Sequence, residues 1–314
     1  MPYEINYKFS GHETFPCRYA WLPKAVAGVE SNPNIFSDED EAMVELGVGK
    51  NMVRSIRFWA EAADIILSSN RGHKLTDFGR ELLLGKESCD QYMEDVRTLW
   101  LIHWKLSTNP NFLIFAWHYL LNHFHEPELY ASAVVRAFEK AQRQVSDKII
   151  STGSLEQLFD VFLHSYVPTR GKKGQVKEDN LDCPLVELNL LRHTGMVQST
   201  IHEGSFEPKF VFRREDKPEI SPSLFAYCLN EFWNLRHAQE QSIPFHIIVV
   251  GEISPGQIFK IPEPDIRSRL CEIEDSSKGF FSFDESAAIP QVIRKREKTP
   301  PALMDIYSRE HAYA

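Results

Sequence analysis

The sequence predicts a mainly α-helical, multi-domain protein with small β-hairpins, built from winged helix-turn-helix-like modules. Three observations carry that expectation. Within 36–85, a capped amphipathic helix, a glycine-containing turn and a second amphipathic helix follow one another. From 91 to 150, Trp and Phe recur near helical spacing. Further on, short alternating segments between helices read as hairpin strands. The composition is 43% hydrophobic and 25% charged, which is globular and argues against disorder or a coiled coil.

Each element has a local reason. Ser37-Asp38-Glu39-Asp40 opens a short helix with a cap and first-turn carboxylates, and Ala42, Met43 and Leu46 form its apolar face. Gly47-Val48-Gly49 ends it. The next helix is expected over 50–66, with Met52, Val53, Ile56 and Trp59-Ala60 inward. Residues 68–72 read as a wing tip, and Thr76 as the cap of another helix. The aromatic stretch is helical, broken near 107–111 and 126–128, and its Trp100, Trp104, Phe112, Phe115, Trp117 and Tyr119 are expected in the core. Ser154 opens a helix to Tyr166, and a basic loop and an acidic run come next. Pro184 begins a helix over 185–191, and 206–214 alternates like a strand. The last part reads as a helix over 223–239, a buried strand over 245–250, a helix over 265–275 and hairpin strands at 280–283 and 290–296. Beyond Lys298 a loosely docked helix or a disordered tail is expected.

A length of 314 residues suggests two or three domains. The element pattern divides the chain more finely, into 1–90, 91–150, 151–220 and 221–314. No apolar run reaches the roughly 18 residues of a membrane span. Met1-Pro2-Tyr3-Glu4 lacks the basic and apolar regions of a signal peptide, so a cytoplasmic protein is expected. The five cysteines are an odd number without a C-x-x-C pair, which argues against a disulfide framework or zinc ribbon and for buried thiols.

A net charge of −9 excludes a protein that coats nucleic acid indiscriminately, and it requires any basic surface to be local. The clearest local surface is on the second helix. Lys50, Arg54 and Arg57 fall at i, i+4 and i+7, with Asn51 beside the helix start. Cations for phosphates, with Arg or Asn near the N-terminus for base edges, are what a recognition helix needs. A solvated helix face paired with carboxylates such as Glu61 is the plainer alternative.

Two other places carry candidate chemistry. Gly11-His12-Glu13-Thr14 sets a His and a Glu in a turn, as an acid–base pair or as a hydrogen-bonded clasp for the N-terminus. Glu178-Asp179-Asn180-Leu181-Asp182, with Asp160 on the preceding helix, offers hard oxygen ligands beside Arg170, Lys172 and Lys173. Mg²⁺ binds through one or two carboxylates plus water and phosphate, so this run suits a metal-dependent nuclease. It equally suits a helix-capping run before Pro184. The spacing of His118, His123 and His125 places them on different sides of a helix end. Phosphate-loop, dinucleotide and nucleophile-elbow motifs are absent.

Four segments together resemble a bacterial family. Phe9-Ser10-Gly11-His12-Glu13-Thr14-Phe15, Trp21-Leu22-Pro23-Lys24, Leu46-Gly47-Val48-Gly49-Lys50-Asn51-Met52-Val53 and Thr98-Leu99-Trp100-Leu101-Ile102-His103-Trp104 are similar to the SspB-like family of single-stranded DNA phosphorothioation systems, first catalogued as a domain of unknown function. The resemblance is good over 9–191 and looser beyond. It implies a Mg²⁺-dependent DNA nicking endonuclease, with Mn²⁺ as a substitute, that opens one strand so that sulfur can replace a non-bridging phosphate oxygen. It also implies a cysteine desulfurase, an ATPase and an ATP-pyrophosphatase-like sulfur-transfer enzyme as partners. The resemblance itself assigns no site residues; on the charge and carboxylate patterns above, Lys50, Asn51, Arg54, Arg57, Arg170 and Lys173 are expected to bind DNA, and Glu178, Asp179 and Asp182 to hold the metal. His12, Glu13, Asp160 and Lys172 take catalytic roles. The other reading is a non-catalytic DNA-recognition and scaffold subunit.

Overall fold

The computed structural model describes residues 7–146, 148–168, 183–202 and 204–308. The chain is mainly helical, with sheets of two or three strands. It divides into two compact units, Met1–Glu94 with Lys105–Arg213, and Asp95–Trp104 with Arg214–Ala314.

The first unit begins with β1 (Tyr7–Lys8) and α1 (Trp21–Ser31). Next comes α2 (Glu39–Leu46), where the Asp38 side chain accepts hydrogen bonds from the backbone N–H groups of Asp40 and Glu41. These are the donors that a helix start leaves unpaired. Gly47 ends α2 at φ 64°, a left-handed turn that favours glycine. α3 (Lys50–Ala62) buries Val53, Ile56, Phe58 and Trp59. It stops four residues before the sequence-read end, for a tertiary reason. The Asn109 amide donates to the carbonyls of Glu61 at 2.9 Å and Ala62 at 3.2 Å, replacing the helical partners that another turn would supply.

β2 (Ile66–Ser69) and β3 (Gly72–Leu75) then form an antiparallel hairpin, and Thr76 caps α4 (Asp77–Leu83). Gly79 sits against the hairpin's root; a Cβ there would lie 2.3 Å from the Ile65 carbonyl oxygen. After α5 (Val96–Thr108), which contributes residues to both units, β4 (Leu113–Ile114) pairs in parallel with β1. α6 (Phe115–Asn122), α7 (Ala131–Val145) and α8 (Thr152–Tyr166) complete the helical body. Trp117 joins them at the centre, edge-on to Trp59 at 5.6 Å and donating to the Tyr166 hydroxyl at 2.8 Å. A 3-10 turn (Pro184–Leu188) replaces the helix expected over 185–191, because Asn189 turns left-handed at φ 47°. Strands β5 (Leu191–Gln198) and β6 (Phe206–Phe212) form the second hairpin.

In the second unit, α9 (Pro222–Arg236) packs near a sheet ordered β7 (Ser242–Pro244), β9 (Gln291–Arg294), β8 (Phe281–Asp284). Between β7 and β8 lie α10 (Phe245–Val250), α11 (Pro255–Phe259), α12 (Glu263–Cys271) and α13 (Ile273–Ser276). The expected buried strand over 245–250 is α10. Its Phe245 and Ile248 are buried three residues apart while Val250 is 60% exposed, which is helical spacing. The tail forms α14 (Leu303–Tyr307), held by buried Leu303 and Ile306. Trp100, Trp104, Phe115 and Trp117 are core residues, as their spacing indicated, whereas Phe112 and Tyr119 are only half-buried. Cys271 is exposed, unlike the buried thiol expected there. No helix among the described residues is long and apolar enough to cross a membrane.

Candidate nucleic-acid interface

α3 presents the expected cationic stripe. Lys50, Asn51 and Arg57 are exposed and Arg54 is half-buried, opposite the apolar face that fixes the helix to the core. The four-residue spacing continues one step further, to Glu61. Two of the three cations are paired with a carboxylate, as in the plainer alternative, but the partner is Glu39 and not Glu61. Glu39, in the first turn of α2, meets Lys50 Nζ at 2.7 Å and Arg54 Nε at 2.6 Å, and accepts a second bond from Arg54 Nη2 at 3.2 Å. The hydrogen bond from Arg54, then that from Lys50, pulls the Glu39 carboxyl down to about 2. Such a forked pair is geometrically the contact that Arg makes with phosphate. The α2–α3 turn therefore fills the Arg54 fork with a carboxylate. Arg57 has no such partner and lies at the mouth of a cleft beside the β2–β3 hairpin.

Beneath α3, the His12–Glu13 turn is a clasp. The His12 carbonyl accepts from Ser55 Oγ at 2.8 Å, and the Phe15 carbonyl accepts from Trp59 Nε1 at 3.0 Å. Glu13 and Thr14 take left-handed backbone angles, φ 49° and 70°. The His12 ring is only 2% exposed, edge-on to Phe58, and burial lowers its pKa to about 4. It is an uncharged core group at neutral pH, so the acid–base role expected of it lacks access to solvent. Glu13 Oε1 lies 3.9 Å from Arg54 and so extends the carboxylate border of the stripe.

The other expected site residues are separate from this helix. Asp160 lies on the exposed side of α8. Partial desolvation, with a smaller contribution from Glu156 and opposed by His164, raises its pKa. Arg170, Lys172, Lys173, Glu178, Asp179 and Asp182 lie outside the described residues. His118 and His123, which their spacing seemed to separate, come together with ring centroids 5.1 Å apart, because His123 is the residue at which α6 ends.

The residues that the sequence did not nominate are Lys8, Glu61, Asp64, His73 and Phe112, which line the cleft with Arg57. Only Glu61 carried a signal, as the next step of the α3 stripe. The others arrive through β1, the turn after α3, the hairpin and the segment before β4, which no local pattern connects.

The arrangement has solved relatives. A crystal structure of SspB matches with a TM-score of 0.79 at 25% identity, covering 92% of this chain and 84% of that one. A crystal structure of magnesium-ion-bound SspB matches with a TM-score of 0.80 at 26% identity over the same shares. No curated protein matches the chain. A family described as protein of unknown function (DUF4007) matches residues 9–307, and with that span, which takes in the α3 stripe, the His12 clasp and both units, the chain belongs to this family.

Proposed function

We propose that this protein binds duplex DNA along α3 and nicks one strand with Mg²⁺, within a phosphorothioate modification system of the SspB kind. The observation that carries the reading is the likeness to magnesium-ion-bound SspB over 92% of the chain. α2, α3, the β2–β3 hairpin and α4 then act as a winged helix-turn-helix, with α3 as recognition helix and residues 68–72 as the wing tip. Lys50 and Arg54 exchange Glu39 for DNA phosphates, Asn51 reaches base edges, and Arg57 adds a free cation.

The donor chemistry of the acidic run fits Mg²⁺: Glu178, Asp179 and Asp182 supply hard oxygen ligands, with Asp160 on α8 before them. Asp160 is exposed and has no hydrogen bond or ion pair among the described residues, which leaves its carboxylate open to a cation. Bound there, Mg²⁺ would polarise the scissile phosphodiester and lower the pKa of the attacking water. Lys172 or Lys173 balances charge on the phosphate, and Arg170 holds the adjacent strand. The partners on this reading are DNA and the sulfur-transfer proteins of such a system: a cysteine desulfurase, an ATPase and an ATP-pyrophosphatase-like enzyme.

The burial of His12 favours a second reading, a DNA-recognition and scaffold subunit without chemistry of its own. Plasmid relaxation separates the two. Nicking with Mg²⁺, lost in EDTA and in the Asp179→Ala, Asp182→Ala double variant, is expected. Nicking that survives both carboxylate losses rejects the metal assignment. Absence of nicking in a preparation that binds DNA selects the scaffold.

A further inference from the structure

The cleft beside α3 is a second feature with chemistry of its own. It has a volume of about 620 Å³, within the roughly 300–1,000 Å³ of small-molecule sites. Its carboxylates are already engaged. Asp64 accepts from Lys105 Nζ at 3.0 Å, and Glu61 Oε1 accepts from Ser68 Oγ at 2.8 Å and lies 3.3 Å from His73 Nε2. Burial works against ionised Glu61, but the bonds from His73 and Ser68, helped by the charge of Arg57, outweigh it and lower its pKa. The cations at the opening are in the opposite state. Lys8 and Arg57 have no hydrogen bond or ion pair among the described residues. The cleft therefore offers two cations that no hydrogen bond or ion pair holds, with Arg57 acting on Glu61 through its charge.

The rest of the lining narrows the ligand. Phe112 is half-buried, held edge-on by Phe58 at 5.0 Å, with Lys8 Nζ 5.4 Å from its ring centre. The exposed Asn111 brings an amide that both donates and accepts. His73, nine-tenths buried on the cleft wall, has an Nδ1 with no hydrogen-bond partner among the described residues. An aromatic face, an amide edge and two cations suit a ligand that is flat, polar at its rim and anionic at one end. A divalent cation fits poorly, because the carboxylates are bonded and the free groups are positive.

We propose that this cleft seats one nucleotide, with its phosphate drawn to Lys8 and Arg57 and its base against Phe112. Two sources share that chemistry: a nucleotide turned out of a duplex lying on α3, and a free mononucleotide. The first rests on the DNA-binding reading above, and Arg57, common to the α3 stripe and the cleft, favours it.

The experiment uses the full-length protein. Duplexes carrying 2-aminopurine at successive positions are titrated while anisotropy reports binding, and dAMP and inorganic phosphate are tested separately by thermal shift. Wild type is expected to raise 2-aminopurine fluorescence several-fold at one position. Lys8→Gln and Asn111→Ala, neither on α3, lose most of that rise while duplex affinity stays within a few-fold. A thermal shift with dAMP that Lys8→Gln removes, without any fluorescence rise, assigns the cleft to a free nucleotide. An equal shift with inorganic phosphate alone overturns the base contact. Duplex binding with neither a rise nor a dAMP shift overturns the proposal. Failure of anisotropy to detect any duplex binding defeats the DNA reading instead, and leaves the dAMP arm to decide the cleft.

Discussion

The two units differ in how much of their positive charge they enclose. In the first, the cations of α3 and β1 lie at the surface, balanced by carboxylates or left open at the cleft. In the second, Arg236, Arg267 and Lys278 form surface ion pairs, but several other bases are inside. Lys217 and Lys260 are 0% and 2% exposed, and the Lys217 ammonium donates to the carbonyls of Glu215 and Lys260. Arg269 donates to the carbonyls of Lys217 and Ile220, Arg294 to that of Ala238, and Arg97 to that of Ile306. A cation that satisfies a buried carbonyl cannot also meet a phosphate. The comparison teaches that a count of Lys and Arg overstates the basic surface, and that among the described residues the second unit's buried bases are structural.

The sharpest test of that contrast is Lys260. Desolvation first, then Arg214 and Lys217, lowers its pKa to about 7 from 10.5. Below pH 7 it is charged in both states, and the folded protein carries the whole cost of burying that charge. Between pH 7 and 10.5 only the unfolded chain is protonated, so stability rises with pH across that window. At about 1.4 kcal/mol per pKa unit the upper limit is about 5 kcal/mol. Lys260→Met is expected to raise Tm most at pH 6, with the gain closing toward pH 10. An equal gain at both pH values would make the effect one of packing instead.

Next in size is the acid limb, which both units share. His12 in the first unit and His103 in the second each have a pKa lowered to about 4 by burial, opposed in His103 by a hydrogen bond to the Ile258 carbonyl. Their contribution is complete above pH 6.5 and is lost as pH falls toward 4, because the unfolded chain takes up the proton first. Each is worth at most about 3 kcal/mol. His12→Leu should flatten that limb for amides of α3 in hydrogen exchange, while amides of α11 keep theirs. A uniform change would deny that the two histidines report on separate units.

Asp64→Ala removes the partner of Lys105, whose side chain is 9% exposed. Because Asp64 is itself 30% exposed, a loss of about 2 kcal/mol is expected in urea unfolding, below the range for a fully buried pair. Smallest is Glu39→Gln. Exposed ion pairs are worth little, so freeing Lys50 and Arg54 should tighten DNA binding by only about threefold and steepen its salt dependence. Arg57→Ala should weaken binding and reduce the salt slope by about 1. If Glu39→Gln left both affinity and slope unchanged, the carboxylate would not be occupying a phosphate position.

Much of the first unit was readable in advance because its signals are local. The Asp38 cap, the Gly47 turn, the inward face of α3 and the Thr76 cap each follow from residues within one or two turns of the chain. The second unit was harder to read. The run 245–250 is apolar and short, and periodicity alone does not separate a buried strand from a buried helix at that length. The end of α3 depended on Asn109, nearly fifty residues away.

The sequence by itself determined the helical character, the capped α2–α3 pair, the aromatic core and the spacing that sets Lys50, Arg54 and Arg57 on one face, since all of these follow from backbone propensity and periodicity. Tertiary structure alone decided which charges are free. Glu39 reaches its cations across the α2–α3 turn, Lys217 and Lys260 are enclosed by chain remote in sequence, and Lys8 joins Arg57 through the pairing of β1 with β4. The state of a charged group depends on its partners in space and on its exclusion from water, and neither quantity is periodic along the chain.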